Sequence, residues 1–250
     1  MTVPKLYTST WTLRPCPICG ACGDDLKPLK VRIRNADVDD GFCVFEHHDM
    51  CCQVCGFVFA SKVPTDEFLI DFQKRTTLNF ESTYDPEARL SLIRELVPKG
   101  GKVLEVGGAR HEFTELLRAE DYDVDVKEIA DPWPDAEYDA IVSYFVLEHV
   151  PDPRGFMRKI FKRLKINGIV IIEVPDYENY TLHSMFREHL NHFMMYTLNL
   201  LLIITGFVQI SLKGCKSREY GIVMKATKDS GIAWGAEDIY WICQKEYGND

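Results

Sequence analysis

The sequence predicts an α/β protein: a mostly parallel sheet with crossover helices, preceded by a small metal-binding module. Three observations carry this. Seven of the nine cysteines fall within residues 16–55, and none lies between Cys55 and Cys215. Strand-like and helix-like segments alternate from Gly100 onward, the pattern of parallel strands joined by helices. A chain of 250 residues that is 46% hydrophobic and 27% charged can hold one ordinary domain and a small extra one.

The elements follow in order. Residues 1–62 read as a zinc-binding module, turn-like pieces such as PCPICGACGDD alternating with short extended ones. Residues 63–98 read as a helical linker, in which Asp85-Pro86 starts a helix and Leu90, Ile93, Leu96 and Val97 form one apolar stripe. Residues 99–250 read as a Rossmann-like domain. KVLEVGG is a buried strand ending in glycines, His111–Glu120 is a helix, and DYDVDVKEI and YDAIVSYFVL are strands. Arg154–Lys165 is a helix whose basic residues read most simply as a solvated face. Asn167-Gly168 turns the chain into the strand GIVIIEVP. The Phe193–Thr205 helix leads to FVQISLKG and GIVMKA, a final strand pair.

Composition also excludes function classes. A net charge of −9, with no aromatic-basic cluster around the cysteines, argues against nucleic-acid binding, which needs a basic field. Phe193–Phe207 is too short to span a bilayer, and MTVPKLYTSTW lacks the charged start and apolar run of a signal peptide. The expectation is a cytoplasmic protein acting on a small molecule, with no membrane or nucleic-acid partner. Nothing in the sequence indicates its oligomeric state.

Cys16-Pro-Ile-Cys19 and Cys52-Gln-Val-Cys55 are CxxC pairs, each followed by glycine and separated by 32 residues. Two such pairs can converge four thiolates on Zn²⁺, a closed and therefore structural site. The alternative is a set of buried free thiols. Cys22 and Cys51 are spare sulfurs beside the pairs, and His47 and His48 are further possible donors.

Glu105, Gly107, Gly108 and Ala109 lie where the first sheet strand meets a helix. Glycine there lets backbone approach a ligand, and the helix start offers free N–H groups. Asp125 follows Glu105 by 20 residues, the usual spacing for an acid that holds ribose hydroxyls. Glu128 and Asp131 are alternatives for that role, and Trp133 could cover an adenine ring or pack on a turn.

These residues resemble the first motif of class I S-adenosylmethionine-dependent methyltransferases, E-x-G-x-G-x-G. Gly107 matches, while Ala109 and His111 stand where the family has glycine. Only 13 residues separate Asp125 from Asp139, so one crossover helix and strand are missing. The longest similarity is Tyr138–Pro175, which resembles the family's fourth strand, LEHV-x-DP loop, helix and fifth strand, with Ser143 at the strand's carboxyl end. HLNHFMMYTLNLLLIITGF resembles its H-x-x-x-F-[ST] helix. With the cysteine pairs and Phe80–Tyr84, the chain is similar to zinc-containing sugar C-methyltransferases, though it lacks their extra C-terminal domain.

The resemblance implies S-adenosylmethionine as cofactor, held by Glu105, Gly107, Gly108, Ala109, Asp125, Asp131 and Ser143. It implies a structural Zn²⁺ on Cys16, Cys19, Cys52 and Cys55, and methyl transfer to a small polar intermediate such as a nucleotide-linked sugar. His149 is the candidate base, oriented by Glu148, at the sheet edge where ligands bind; the alternative is that it only caps the loop. Tyr144, Arg187, His189 and His192 are candidates for the substrate pocket, Arg187 because its planar fork suits oxyanions. The competing reading is a degenerate fold that serves as a non-catalytic zinc-containing binding or scaffold subunit.

Overall fold

The computed structural model describes residues 5–8, 11–38, 41–65, 86–107, 112–177, 189–211 and 221–228. Gly108, Ala109, His111, Phe80–Tyr84, Arg187 and the C-terminal tail lie outside the described residues. The main sheet contains β7 (Lys102–Val106), β8 (Asp123–Lys127), β9 (Tyr138–Tyr144), β10 (Leu164–Pro175), β12 (Phe207–Ser211) and β13 (Gly221–Lys228). Its order is β8-β7-β9-β10-β13-β12. The first four run parallel, and β13 pairs antiparallel with both β10 and β12.

Residues 128–137 contain neither helix nor strand, so β8 is the sheet's edge. This is the crossover that the short Asp125–Asp139 interval leaves no room for.

Helices cover both faces. On one face α1 (Pro86–Leu96) and α2 (Glu112–Ala119) bury Leu90, Ile93, Phe113 and Leu117 against Val103, Val142 and Ile171. The segment read as a linker thus contributes a packed helix to the core. α1 is also tied electrostatically, because Arg89 donates to Glu173 Oε2 of β10 at 2.8 and 3.2 Å with both residues buried. On the other face lie α3 (Pro153–Arg163) and α4 (Met195–Ile204). Asp152 caps α3 by accepting from the Gly155 amide at 2.9 Å, and Pro153 sits in the first turn, where its missing N–H costs nothing. Arg158, Lys159 and Lys162 of α3 are solvent-exposed.

The N-terminal region forms a second sheet of β1 (Lys5–Thr8), β3 (Leu26–Val38), β4 (Gly41–Cys52), β5 (Val58–Ala60) and β11 (Asn191–His192), beside a two-stranded ribbon of β2 (Trp11–Leu13) and β6 (Lys62–Pro64). The β3–β4 hairpin runs in continuous register from Leu26↔Cys52 to Val38↔Gly41, broken by one bulge near Pro28. It is longer than the short extended pieces read from the sequence.

This region is no appendage. Ile18, Phe57 and Phe59 are fully buried in the same cluster as Leu104, Ile141, Ile172 and Phe193, and the Phe57 and Phe193 rings are 5.1 Å apart. Each fully buried phenylalanine contributes about 1.5–3 kcal/mol. β11 comes from the sheet domain's half of the chain, yet it pairs with β5.

Candidate functional site

The carboxyl ends of β7, β8 and β9 meet at one edge. β7 ends at Gly107, whose φ of +83° is costly for any residue with a Cβ. Its amide donates to the Lys127 carbonyl at 2.8 Å, and a Cβ here would lie 2.2 Å from Val146 Cγ2. Glycine is therefore demanded twice, by conformation and by the approach of the loop after β9. Glu105 is 5% exposed and accepts a hydrogen bond from the Thr114 hydroxyl, which ties β7 to α2.

The acids read from spacing separate in space. Asp125 is the third residue of β8, and its carboxylate accepts from the Tyr138 hydroxyl at 2.8 Å and faces Lys102 Nζ at 3.3 Å. Lys102 and Tyr138 begin their strands, so Asp125 is drawn toward the amino edge, away from Gly107. Asp131 is exposed and accepts from the Glu128 amide at 2.9 Å, closing a turn. Glu128 itself directly follows the carboxyl end of β8. Trp133 is half-buried, with its ring edge-on to Phe156 and with Lys127 Nζ 4.6 Å and Arg163 Cζ 5.3 Å from the ring centre. Burial pushes the Lys127 ammonium below its ordinary value.

β9 leads into the second part of the site. Ser143 pairs with Val106 across the strands and is fully buried; neither its hydroxyl nor that of Tyr144 has a hydrogen-bond partner among the described residues. Burial pushes the Tyr144 phenol up, and the Arg89 guanidinium stacks 3.9 Å from its ring. Phe145 then takes φ +57°, an unusual conformation for a bulky residue, with its amide donating to the Glu173 carbonyl at 2.8 Å. A single 3-10 turn, Leu147–His149, follows.

That turn is held by residues far along the chain. Asn191, 1% exposed, donates to the Leu147 carbonyl at 2.9 Å and the Val150 carbonyl at 2.7 Å. The Leu190 amide donates to the Glu148 carbonyl at 2.8 Å. His189 is thereby set beside His149, the two rings 4.9 Å apart and edge to face. His149 Nε2 lies 3.7 Å and His189 Nε2 3.9 Å from the same atom, Glu148 Oε1. Glu148 and His189 are buried, while His149 is half-buried at the edge. His192 stands apart from this group: it is 3% exposed, lies 3.5 Å from Asp49 Oδ1 of β4 and packs against Tyr177.

The four cysteines converge at the carboxyl end of β4, which Cys52 closes. Each pair forms the same knuckle. The Cys16 and Cys52 amides donate to the Ala21 and Phe57 carbonyls, and the Gly20 and Gly56 amides donate back to the Cys16 and Cys52 carbonyls. Gly20 and Gly56 take φ +83° and +70° to do so. Sγ atoms are 3.6 Å apart for Cys16 and Cys55 and 3.4 Å for Cys19 and Cys52, and all four lie within 4.8 Å of one another. Mutual hydrogen bonds spread their acidities, pushing Cys55 and Cys16 up and Cys52 down.

Residues 80–211, just over half of the chain, match the family model described as a methyltransferase domain. The chain belongs to the methyltransferase domain family. None of the curated proteins matches this methyltransferase in sequence. Among solved structures it is similar to the Burkholderia thailandensis 1,6-didemethyltoxoflavin-N1-methyltransferase with bound 1,6-didemethyltoxoflavin and S-adenosylhomocysteine. Identity is 18% and the TM-score 0.53, over 69% of this chain and 96% of that one. It is also similar to the [4+2]-cyclase SpnF, at 15% identity and TM-score 0.47 over 58% and 82% of the two chains. An S-adenosylmethionine-dependent methyltransferase from Mesorhizobium loti gives 12% identity and TM-score 0.44 over 56% and 98%.

Sequence reasoning missed the residues that join the methyltransferase's two parts. Arg14 donates from Nε to the Ala60 carbonyl at 2.9 Å, from one terminal nitrogen to the Pro151 carbonyl at 2.6 Å, and from the other to the Leu190 carbonyl and Asn191 Oδ1 at 2.8 and 3.0 Å. Its only signal in the sequence is a lone arginine two residues before a CxxC. Asn191 carries a weak signal, a single amide between the two histidines of HLNH. No helix among the described residues is long and apolar enough to cross a membrane.

Proposed function

We propose that this methyltransferase takes a methyl group from S-adenosylmethionine and passes it to a small polar acceptor, with a nucleotide-linked sugar one candidate class. The observation that carries the reading is the meeting, at one sheet edge, of the glycine-only turn at Gly107 and the Glu148–His149–His189 group on the adjoining loop. Such an edge is where ligands bind in open α/β sheets. Gly107, with Gly108 and Ala109 next in the chain, would take the cofactor, and the buried Ser143 hydroxyl across from Val106 is assigned to it as well. Glu128 is better disposed than Asp125 or Asp131 to hold the ribose, because it stands at the end of β8 on the cofactor side. The acceptor atom would lie against Glu148, His149 and His189, with Tyr144 and Arg187 the further residues assigned to the substrate. In the transfer, the acceptor's electron pair forms the new bond to the methyl carbon. The carbon–sulfur bond breaks toward sulfur, and an acceptor proton leaves to the nearby base or to water. Holding the two reactants in line supplies much of the rate.

The cysteines would hold a structural Zn²⁺. A tetrahedral site with Zn–S bonds of about 2.3 Å has sulfurs about 3.8 Å apart, close to the 3.6 Å of Cys16–Cys55 and the 3.4 Å of Cys19–Cys52. All four positions are filled by protein, which leaves the metal no site for chemistry. The scaffold alternative is kept by His111 and by the missing crossover. Calorimetric titration with S-adenosylmethionine separates the two readings: saturable binding is expected, and no heat at millimolar cofactor would overturn the enzyme reading in favour of the scaffold.

A further inference from the structure

The structure assigns a second metal site to this chain: a divalent first-row cation on Glu148, His149 and His189, at the edge where the acceptor is placed. The inference rests on the reading above for what the metal does, but not for whether it binds. Two imidazole Nε2 atoms approach one carboxylate oxygen, at 3.7 and 3.9 Å. Those separations exceed the roughly 2.7–3.2 Å of an N–H···O hydrogen bond, so no proton shared between these atoms accounts for the approach. They match donors arranged around a cation. With metal–ligand distances of about 2.1 Å, neighbouring donors of a tetrahedral site are about 3.4 Å apart. The three donor atoms all lie within 4.8 Å of one another, and small rotations of the two rings close the remainder.

Burial and scaffolding agree. Glu148 is 1% exposed, and a carboxylate removed from water is stabilised by positive charge beside it. The donors are held by backbone, not by chance: the Leu190 amide grips the Glu148 carbonyl, and Asn191 brackets the turn on both sides. Two histidines and one carboxylate suit zinc, manganese, iron or cobalt, and three protein ligands leave coordination positions open. His149 is the partly exposed ligand, so the open side faces the edge. This distinguishes the site from the cysteine cluster, whose four thiolates fill the coordination sphere. A hydroxyl or carbonyl oxygen of the acceptor would take an open position, where the cation would orient it and acidify that hydroxyl, or the C–H beside that carbonyl.

The test uses Mn²⁺, which favours oxygen and nitrogen donors over thiolates, on the full chain carrying its cysteine-bound metal. Titration followed by electron paramagnetic resonance is expected to give one bound Mn²⁺ per chain. Zinc after dialysis is expected at two per chain in the wild type and one in Glu148→Gln. His149→Ala, at the more exposed ligand, is expected to weaken Mn²⁺ by about tenfold or more while circular dichroism stays unchanged. Absence of Mn²⁺ binding, or equal binding by wild type, Glu148→Gln and His149→Ala, would overturn the site. A parallel titration with S-adenosylmethionine keeps the outcomes apart: cofactor binding without Mn²⁺ refutes the metal site alone, and Mn²⁺ without cofactor refutes the transfer reading alone.

Discussion

Gly107→Ala tests how β7 and the loop after β9 fit together. The new methyl would lie 2.2 Å from Val146 Cγ2, whereas ordinary contact begins near 3.4 Å, so the end of β7 or the loop after β9 must move by more than an ångström. Overpacking of this kind costs about 1–3 kcal/mol. A Cβ at φ +83° adds about 1–2 kcal/mol. Loss of glycine's freedom in the unfolded chain returns about 0.4–1 kcal/mol. The net expectation is a destabilisation of about 3 kcal/mol, read as a fall of roughly 1 M in the urea midpoint if the slope is near 3 kcal/mol/M. A double-mutant cycle isolates the steric share. Val146→Ala alone costs about 1.5–3 kcal/mol, since Val146 is 2% exposed. In Gly107→Ala/Val146→Ala the clash is relieved, so the two losses should sum to more than the double variant shows, by about 1–3 kcal/mol. Additivity within about 0.5 kcal/mol would refute the contact. A Gly107→Ala protein as stable as wild type would refute the conformation as well.

Cys16→Ser should lower the zinc count at the cysteine cluster and destabilise the chain, as measured by metal analysis and urea melts; a folded variant retaining full metal would count against a four-sulfur site. Glu173→Gln should cost about 3–5 kcal/mol, because it leaves the Arg89 guanidinium buried against Tyr144 without its carboxylate. An unchanged urea midpoint would show that the pair does not fasten α1 to the sheet.

Periodicity made the sheet legible. KVLEV, YDAIVSY and GIVIIEVP are apolar runs and DVDVK alternates, although β10 starts at Leu164, earlier than the Asn167-Gly168 turn suggests; the loss of one crossover follows from a simple count of residues between Asp125 and Asp139. The acid proposed to hold the ribose is harder to read, because spacing along a chain says where an acid falls but not which way its side chain is drawn. Asp125 sits at the expected interval, yet the Tyr138 hydroxyl and Lys102 ammonium pull it to the opposite edge. Arg14, Asn191 and Asp49 were illegible for a related reason. Their partners lie on other elements, as with Arg14 and Asn191, 177 positions apart in the chain, and no local pattern encodes them. The helix read as a linker shows the same limit, since its apolar stripe is plain in the sequence but the surface it covers is not.

The contacts missed in the sequence also explain why a structural cysteine cluster sits on this fold. Phe57, Val58 and Phe59 directly follow the second knuckle, and the Gly56 carbonyl accepts from Tyr196 of α4. β5 pairs with Asn191 and His192, and the Ala60 amide donates to the Leu190 carbonyl. Leu190 and Asn191 in turn hold the Leu147–His149 turn. A change in the knuckle therefore reaches Glu148 and His189 through three successive layers of backbone hydrogen bonds, with Arg14 clamping the seam between them. Flexible loops position donor atoms poorly, and catalytic geometry tolerates errors of well under an ångström. On the proposed function the cysteine module would be the wall that fixes one side of the acceptor site, and a metal held there would act on chemistry through position alone.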